Sequence, residues 1–247
     1  MTDWAVLGRD GDRARIFVLR GPHVLNEGTA PDPATALAQI DPVPRNIFRI
    51  GECYSEPLPT QLVPHADHGL AGLTQETPPD VIDGWVRLLL IGLSQVRTNW
   101  DGVAWVVRGE LSHWIHLSAG EAVSCQSFLT PQLITMLGGA FPPCETAISD
   151  TISRPERLAA HLRAAQVAGN AAALSGSLLG AEMAAARPYW LGQSVSLIAP
   201  EPRASGYVAA LTTLGVTPSV FDPDMLIAPA LSALWGSLAN GATPTDN

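Results

Sequence analysis

Residues 103–138 read VAWVVRGELSHWIHLSAGEAVSCQSFLTPQLITMLG, three short apolar runs broken by two tight turns and followed by a helix. Val103–Val107 is β-branched and aromatic, the composition of a buried strand. Arg108–Gly109–Glu110 reverses the chain, since glycine accepts the backbone angles of a tight turn. Ser112–Leu117 is the second strand, Ser118–Ala119–Gly120 the second turn, and Ala122–Phe128 the third strand. Pro131 then suits the first turn of a helix running to Leu137. His113 and His116 stand an odd number apart on one strand, so they face opposite sides and cannot share a ligand.

The same order occurs at the N-terminus. Trp4–Gly8 is apolar, Arg9–Asp10–Gly11–Asp12 turns, and Arg13–Leu19 is a strand. Arg20–Gly21–Pro22 turns again, His23–Asn26 is a short strand, and Pro33–Ile40 reads as a helix. Strand–turn–strand–turn–strand–helix, met twice, points to a duplicated domain with lobes over residues 1–100 and 101–247. In such a fold the first hairpin turn of each half is expected to face the cleft between lobes, where backbone N–H groups can hold phosphate.

The 247 residues are 47% apolar and 15% charged, enough for a substantial core in one large domain or two lobes. A net charge of −9 with only 14 scattered basic residues argues against nucleic acid as a partner. Cys53, Cys125 and Cys144 are odd in number and lack C-x-x-C spacing, fitting neither a disulfide framework nor a zinc site. The charged N-terminus lacks a signal-peptide core, and the small-residue run Asn170–Ala186 carries Glu182 and makes a poor membrane span. A cytoplasmic location without membrane contact is the expectation. His65–Ala66–Asp67–His68 offers two histidines in a loop and no assignable metal site.

Between the hairpins, Phe48–Cys53 reads as a strand and the proline-rich residues 54–80 as a long irregular surface segment. Val81–Val96 reads as a helix capped by Asp80 or Asp83. Ser153–Ala168 is expected as a helix begun by Ser153, and Asn170–Arg187 as a second. Gly176 and Gly180 in the latter allow another backbone to come close. The chain ends in strand Val195–Ala199, helix Arg203–Leu214, strand Thr217–Phe221 and helix Asp224–Leu238. That βαβα order implies parallel pairing under helices, hence an α/β fold with mixed sheets and flanking helices.

Gly109–Leu137, Leu174–Met183 (LSGSLLGAEM), Val195–Val216 (VSLIAPEPRASGYVAALTTLGV) and Gly72–Gly92 resemble the 2-dehydro-3-deoxygalactonokinase family. These are sugar-acid kinases with a duplicated actin-like ATPase (ribonuclease H-like) fold. Membership implies ATP, Mg²⁺ and phosphoryl transfer to a 2-keto-3-deoxy sugar acid, chemistry that rests on positioning and charge neutralisation.

The motifs that would carry this chemistry are altered. The family's first phosphate loop holds an Asp, a Gly, a Thr pair and an Arg. Aligned on Arg15 and Ile16–Leu19, the Asp position is Gly8 and the Thr positions are Gly11 and Asp12, so Arg15 alone remains. In the second loop the family reads Pro-Gly-Thr-His-Ser-Lys-Trp. Here Gly109, Ser112 and Trp114 remain, while Arg108, Glu110, Leu111 and His113 replace Pro, Thr, His and Lys. The family's Arg-Gly-Glu-Glu has become Asp83–Gly84–Trp85–Val86, and Thr-Gly-Glu has become Thr130–Pro131–Gln132.

The leading expectation is a family member that keeps the fold and has lost catalysis, binding a sugar acid or nucleotide or acting as a regulatory module. In the alternative, an active sugar kinase, Asp10 or Asp12 would hold Mg²⁺ and Asp83 or Asp101 would act as base, with Arg15, Gly109 and Ser112 on the phosphates. A third reading uses the Gly/Ala-rich helix for assembly, such as a homodimer. Glu182 is expected to cap or pair at the lobe interface.

Overall fold

The computed structural model describes residues 3–52, 54–64 and 69–241, so Cys53 and the His65–His68 pair lie outside the described residues. Three antiparallel strands open the chain: β1 (Asp3–Asp10), β2 (Arg13–Arg20) and β3 (His23–Ala30). Helix α1 (Pro33–Ala38) follows, its Asp32 cap accepting from Thr35 N and Pro33 filling a position that needs no N–H. Strand β4 (Asn46–Ile50) then pairs parallel to β1, with Gly8 opposite Ile50.

Residues 54–80, expected to be irregular, instead contain short strands: β5 (Glu56–Pro57), β6 (Thr60–Gln61), β7 (Gly69–Leu70), β8 (Leu73–Gln75) and, ending just beyond, β9 (Asp80–Ile82). Their order is fixed from outside the segment. Helix α2 (Gly84–Val96) carries Arg87, fully buried, whose guanidinium donates to the carbonyls of Gln61, Leu62 and Ala71 and to Glu56 Oε2. The helix starts later than the apolar run suggests because Asp83, not Asp80, caps it by accepting from Val86 N at 2.8 Å.

The second half begins with β10 (Gly102–Arg108), β11 (Leu111–Ser118) and β12 (Glu121–Phe128), as the three runs predict, then α3 (Thr130–Met136). Helix α4 (Glu145–Ser153) was not expected, and Ser153 ends it rather than starting the next. A single 3₁₀ turn, Pro155–Arg157, leads into α5 (Leu158–Val167). Helix α6 (Ala171–Ala185), capped by Asn170, is apolar on all sides and correspondingly buried. A Cβ at Gly176 or Gly180 would stand 2.5 Å from the carbonyl oxygens of Cys144 and Ile148, so these glycines let α4 lie directly on α6. Last come α7 (Arg187–Trp190), β13 (Val195–Ile198), α8 (Arg203–Thr212), β14 (Ser219–Phe221) and α9 (Pro223–Gly241).

The chain divides into two compact units. The first comprises residues 1–100, 119–123 and 224–247, the second 101–118 and 124–223. The chain therefore changes unit near residue 100, around 119–123 and at 224. In the first unit, the sheet order is β3-β2-β1-β4-β7, with a small sheet β5-β8-β9. Ala5, Leu7, Ala14 and Ile16 pack under α1, and Trp4 meets Trp235 of α9 at 5.7 Å. In the second, the strands run β14-β13-β10-β11-β12, with β10, β13 and β14 parallel. Trp105 and Trp114 stack at 4.3 Å in its core with Leu178, Met183, Leu197 and Tyr207.

Candidate functional site

The β10–β11 turn of the second unit is the place where sequence and geometry converge. Gly109 has φ +58°, a conformation that costs a side-chain-bearing residue strain. The turn is fastened from two directions. Arg203, at the start of α8, donates from Nη1 to the Gly109 carbonyl at 2.8 Å. Gln132 donates its backbone N–H to the Glu110 carbonyl at 3.2 Å and its side-chain amide to Glu110 Oε2 at 3.0 Å. Segments 108–113 and 130–132, singled out separately in the sequence, are thus joined. Arg203 was missed, because ninety-four residues separate it from the group it binds.

Beneath the turn lies a buried polar cluster. Ser112 donates its hydroxyl to Glu182 Oε1 at 2.5 Å, and Trp114 Nε1 donates to the same oxygen at 2.9 Å. Trp105 Nε1 is shared between Ser112 Oγ at 2.7 Å and Glu182 Oε1 at 3.1 Å. Glu182 is therefore not a cap, and Ser112, Trp114 and Trp105 belong to its own unit. Burial pushes its carboxyl above the usual range, outweighing the pull of the hydrogen bonds from Ser112, Thr130, Trp114 and Trp105. Burial likewise holds the Tyr207 phenol well above its ordinary value, reinforced by the Glu182 charge and opposed by Arg203. One charged residue in an otherwise apolar helix was the available signal for Glu182. On the other face of β11, buried His113 bonds Ser127 Oγ through Nδ1 at 2.6 Å.

In the first unit, the indole of Trp85 donates to the Arg9 carbonyl at 2.5 Å, which ties the first turn of α2 to the end of β1. Asp10 closes the β1–β2 hairpin opposite Arg13, and Asp12 is exposed. Arg15 is held by Glu27 at 2.7 Å and by Asp224 at 3.1 Å. Asp83 is committed as the α2 cap. Asp101 precedes β10, roughly 26 Å from Gly109 at strand rise, so the geometry does not join it to the turn.

The fit to Mg²⁺ can be tested at Gly8, the position aligned with the family's carboxylate. A Cβ there would lie 2.5 Å from the Ile50 carbonyl oxygen, so the site has no room for an aspartate. Among the described residues, no group of three or more His, Cys, Asp or Glu is placed to hold a metal ion. At Gly8 the residues present do not fit the ion. Also among the described residues, no helix is long and apolar enough to cross a membrane.

Residues 151–234 match the model of the 2-keto-3-deoxy-galactonokinase family. The resemblance to that family holds over this segment. No curated protein matches the chain. Among solved structures, a Sinorhizobium meliloti protein provisionally assigned as a 2-dehydro-3-deoxygalactonokinase superposes with a TM-score of 0.79 at 21% identity, over 94% of this chain and 97% of that one. The Acidaminococcus fermentans (R)-2-hydroxyglutaryl-CoA dehydratase component A gives 0.54 at 10% identity, over 98% of this chain and 100% of that one. The Clostridium difficile activator of 2-hydroxyisocaproyl-CoA dehydratase, solved with bound ADPNP, gives 0.52 at 11%, over 97% and 95%. The fold is the actin-like ATPase fold, with mixed sheets and flanking helices. The matched segment, 151–234, includes Glu182, Arg203, Tyr207 and Asp224.

Proposed function

We propose that the chain is a 2-keto-3-deoxy-galactonokinase-like protein that keeps the actin-like fold and has lost phosphoryl transfer, serving as a ligand-binding or regulatory module. The observation that carries this reading is the chemistry of the 108–113 turn. Glu110 places a carboxylate on it, while Ser112 and His113 direct their polar groups inward to Glu182 and Ser127. A negative charge there repels phosphate, while the Ser112 proton is already given to Glu182 and His113 Nδ1 is engaged with Ser127. The first unit supports the same conclusion: Gly8 excludes a carboxylate and Arg15 already neutralises two acids.

The test is a calorimetric titration of Mg-ATP and of 2-keto-3-deoxygalactonate into the full chain, beside a coupled assay for ADP. The expected result is no ADP formed in response to the sugar acid. ADP release that depends on the sugar acid would overturn the proposal and return Asp10, Asp12, Asp83 and Asp101 as candidates for metal and base. Heat from the sugar acid alone would identify the retained ligand.

A further inference from the structure

The second unit has a cleft of about 220 Å³ lined by Val103, His116, Ser124, Pro188, Tyr189 and Gln193, all of them residues of that unit. Its floor is the sheet. Val103 on β10 pairs with His116 on β11, and Ser124 stands on β12. His116 follows Trp114 by two residues and so shares its face of the sheet, while His113 faces the other way, to Ser127. The wall is α7 with the turn after it. Two bonds fix that wall: Trp190 Nε1 donates to the Met183 carbonyl at 2.8 Å, and the Val103 N–H donates to the Ser194 carbonyl at 2.9 Å. The cleft lies at the end of β10 away from Gly109, roughly 20 Å along the strand from the turn.

We propose that this cleft binds a neutral, hydroxyl-rich small molecule the size of a monosaccharide. Its volume sets the size, since an apolar cavity of about 150 Å³ takes one benzene. The lining sets the chemistry. Imidazole, hydroxyl, phenol and amide groups together both donate and accept, as the hydroxyls of a sugar do. Among the described residues, no side-chain hydrogen bond holds His116, Ser124 or Gln193, so their polar atoms are available to a ligand. Val103, Pro188 and the Tyr189 ring add apolar surface for the C–H face of a sugar ring.

None of the lining residues is an Asp, Glu, Lys or Arg. A phosphate or carboxylate would enter without a fixed counter-charge and lose its hydration uncompensated. The ligands considered for the 108–113 turn are anionic, so binding here neither requires nor excludes binding there.

The experiment is saturation-transfer NMR on the full chain, with D-glucose, D-mannose and myo-inositol as neutral probes and D-glucuronate as the charged control. The imidazole proton signals of His116 are followed in the same samples. The expected result is millimolar binding of at least one neutral probe, a shift of the His116 signals, and a weaker response to glucuronate. Gln193 is exposed, so Gln193→Ala should keep the fold and lower the saturation transfer several-fold, as should His116→Ala. No transfer to any neutral probe, His116 signals that stay in place, tighter binding of glucuronate, or transfer unchanged in both variants would overturn the proposal. Should His116→Ala fail to fold, Gln193→Ala and the wild-type His116 signals decide the matter.

Discussion

Gly8 and Ile50 face each other across parallel strands with no space for a side chain: a Cβ on Gly8 would come within 2.5 Å of the Ile50 carbonyl oxygen. Restoring the family's carboxylate by Gly8→Asp is therefore expected to damage the first unit without creating a metal site. Overpacking of this kind costs about 1–3 kcal/mol. Urea denaturation should show the lowered midpoint, and Mg-ATP calorimetry should remain flat.

Glu182 sets a pH dependence whose sign follows from its burial. Burial raises its folded-state pKa, so the stability it contributes is complete below the ordinary carboxylate range and is lost as pH rises through the raised value. Glu182→Gln keeps an acceptor for Ser112, Trp105 and Trp114 but cannot ionise. Wild type should lose stability relative to this variant with rising pH, at a slope of up to about 1.4 kcal/mol per pH unit. Denaturation at a series of pH values measures it; parallel profiles would refute it.

Arg87 is the clamp of the first unit. Removing it as Arg87→Met leaves three carbonyls and Glu56 without their shared donor. Glu56 keeps 35% of its side chain open to solvent, so the cost falls mainly on the carbonyls left without a donor, about 1–3 kcal/mol each. The loss should appear in thermal denaturation, with amide exchange rising first in residues 56–75.

Arg15 presents the opposite case. Its partners Glu27 and Asp224 are well exposed, with 47% and 77% of their side chains open to solvent. Exposed pairs of this kind contribute about 0–1 kcal/mol. Arg15→Gln is expected to leave the melting temperature within a few degrees, and to change no nucleotide affinity, since none is proposed. A nucleotide signal in wild type that vanishes in the variant would restore Arg15 as a phosphate ligand.

How much of this was legible follows from the range of each interaction. The hairpins were readable because β-branched runs and glycine turns act within a few residues, and β10 to β12 fall where Val103–Phe128 places them. The strands between 56 and 82 were not, because their two- and three-residue lengths carry no periodicity and Arg87 arranges several of the loops between them from helix α2. Helix α4, sequence ETAISDTIS, has little apolar pattern of its own and is held through Gly176 and Gly180 of α6. The site was half visible. Gly109, Ser112 and Gln132 stand in one stretch, whereas Glu182 and Arg203 reach it across 70 and 94 residues of chain.

The return of α9 to the first unit has a consequence for biogenesis. Leu226 packs over Gly92, and Trp235 against Trp4, so the first unit receives α9 only after the residues of the second unit have been made. Residues 101–223, which supply the second unit, have all emerged by then. Until α9 emerges, the first unit is left open at Trp4 and Gly92.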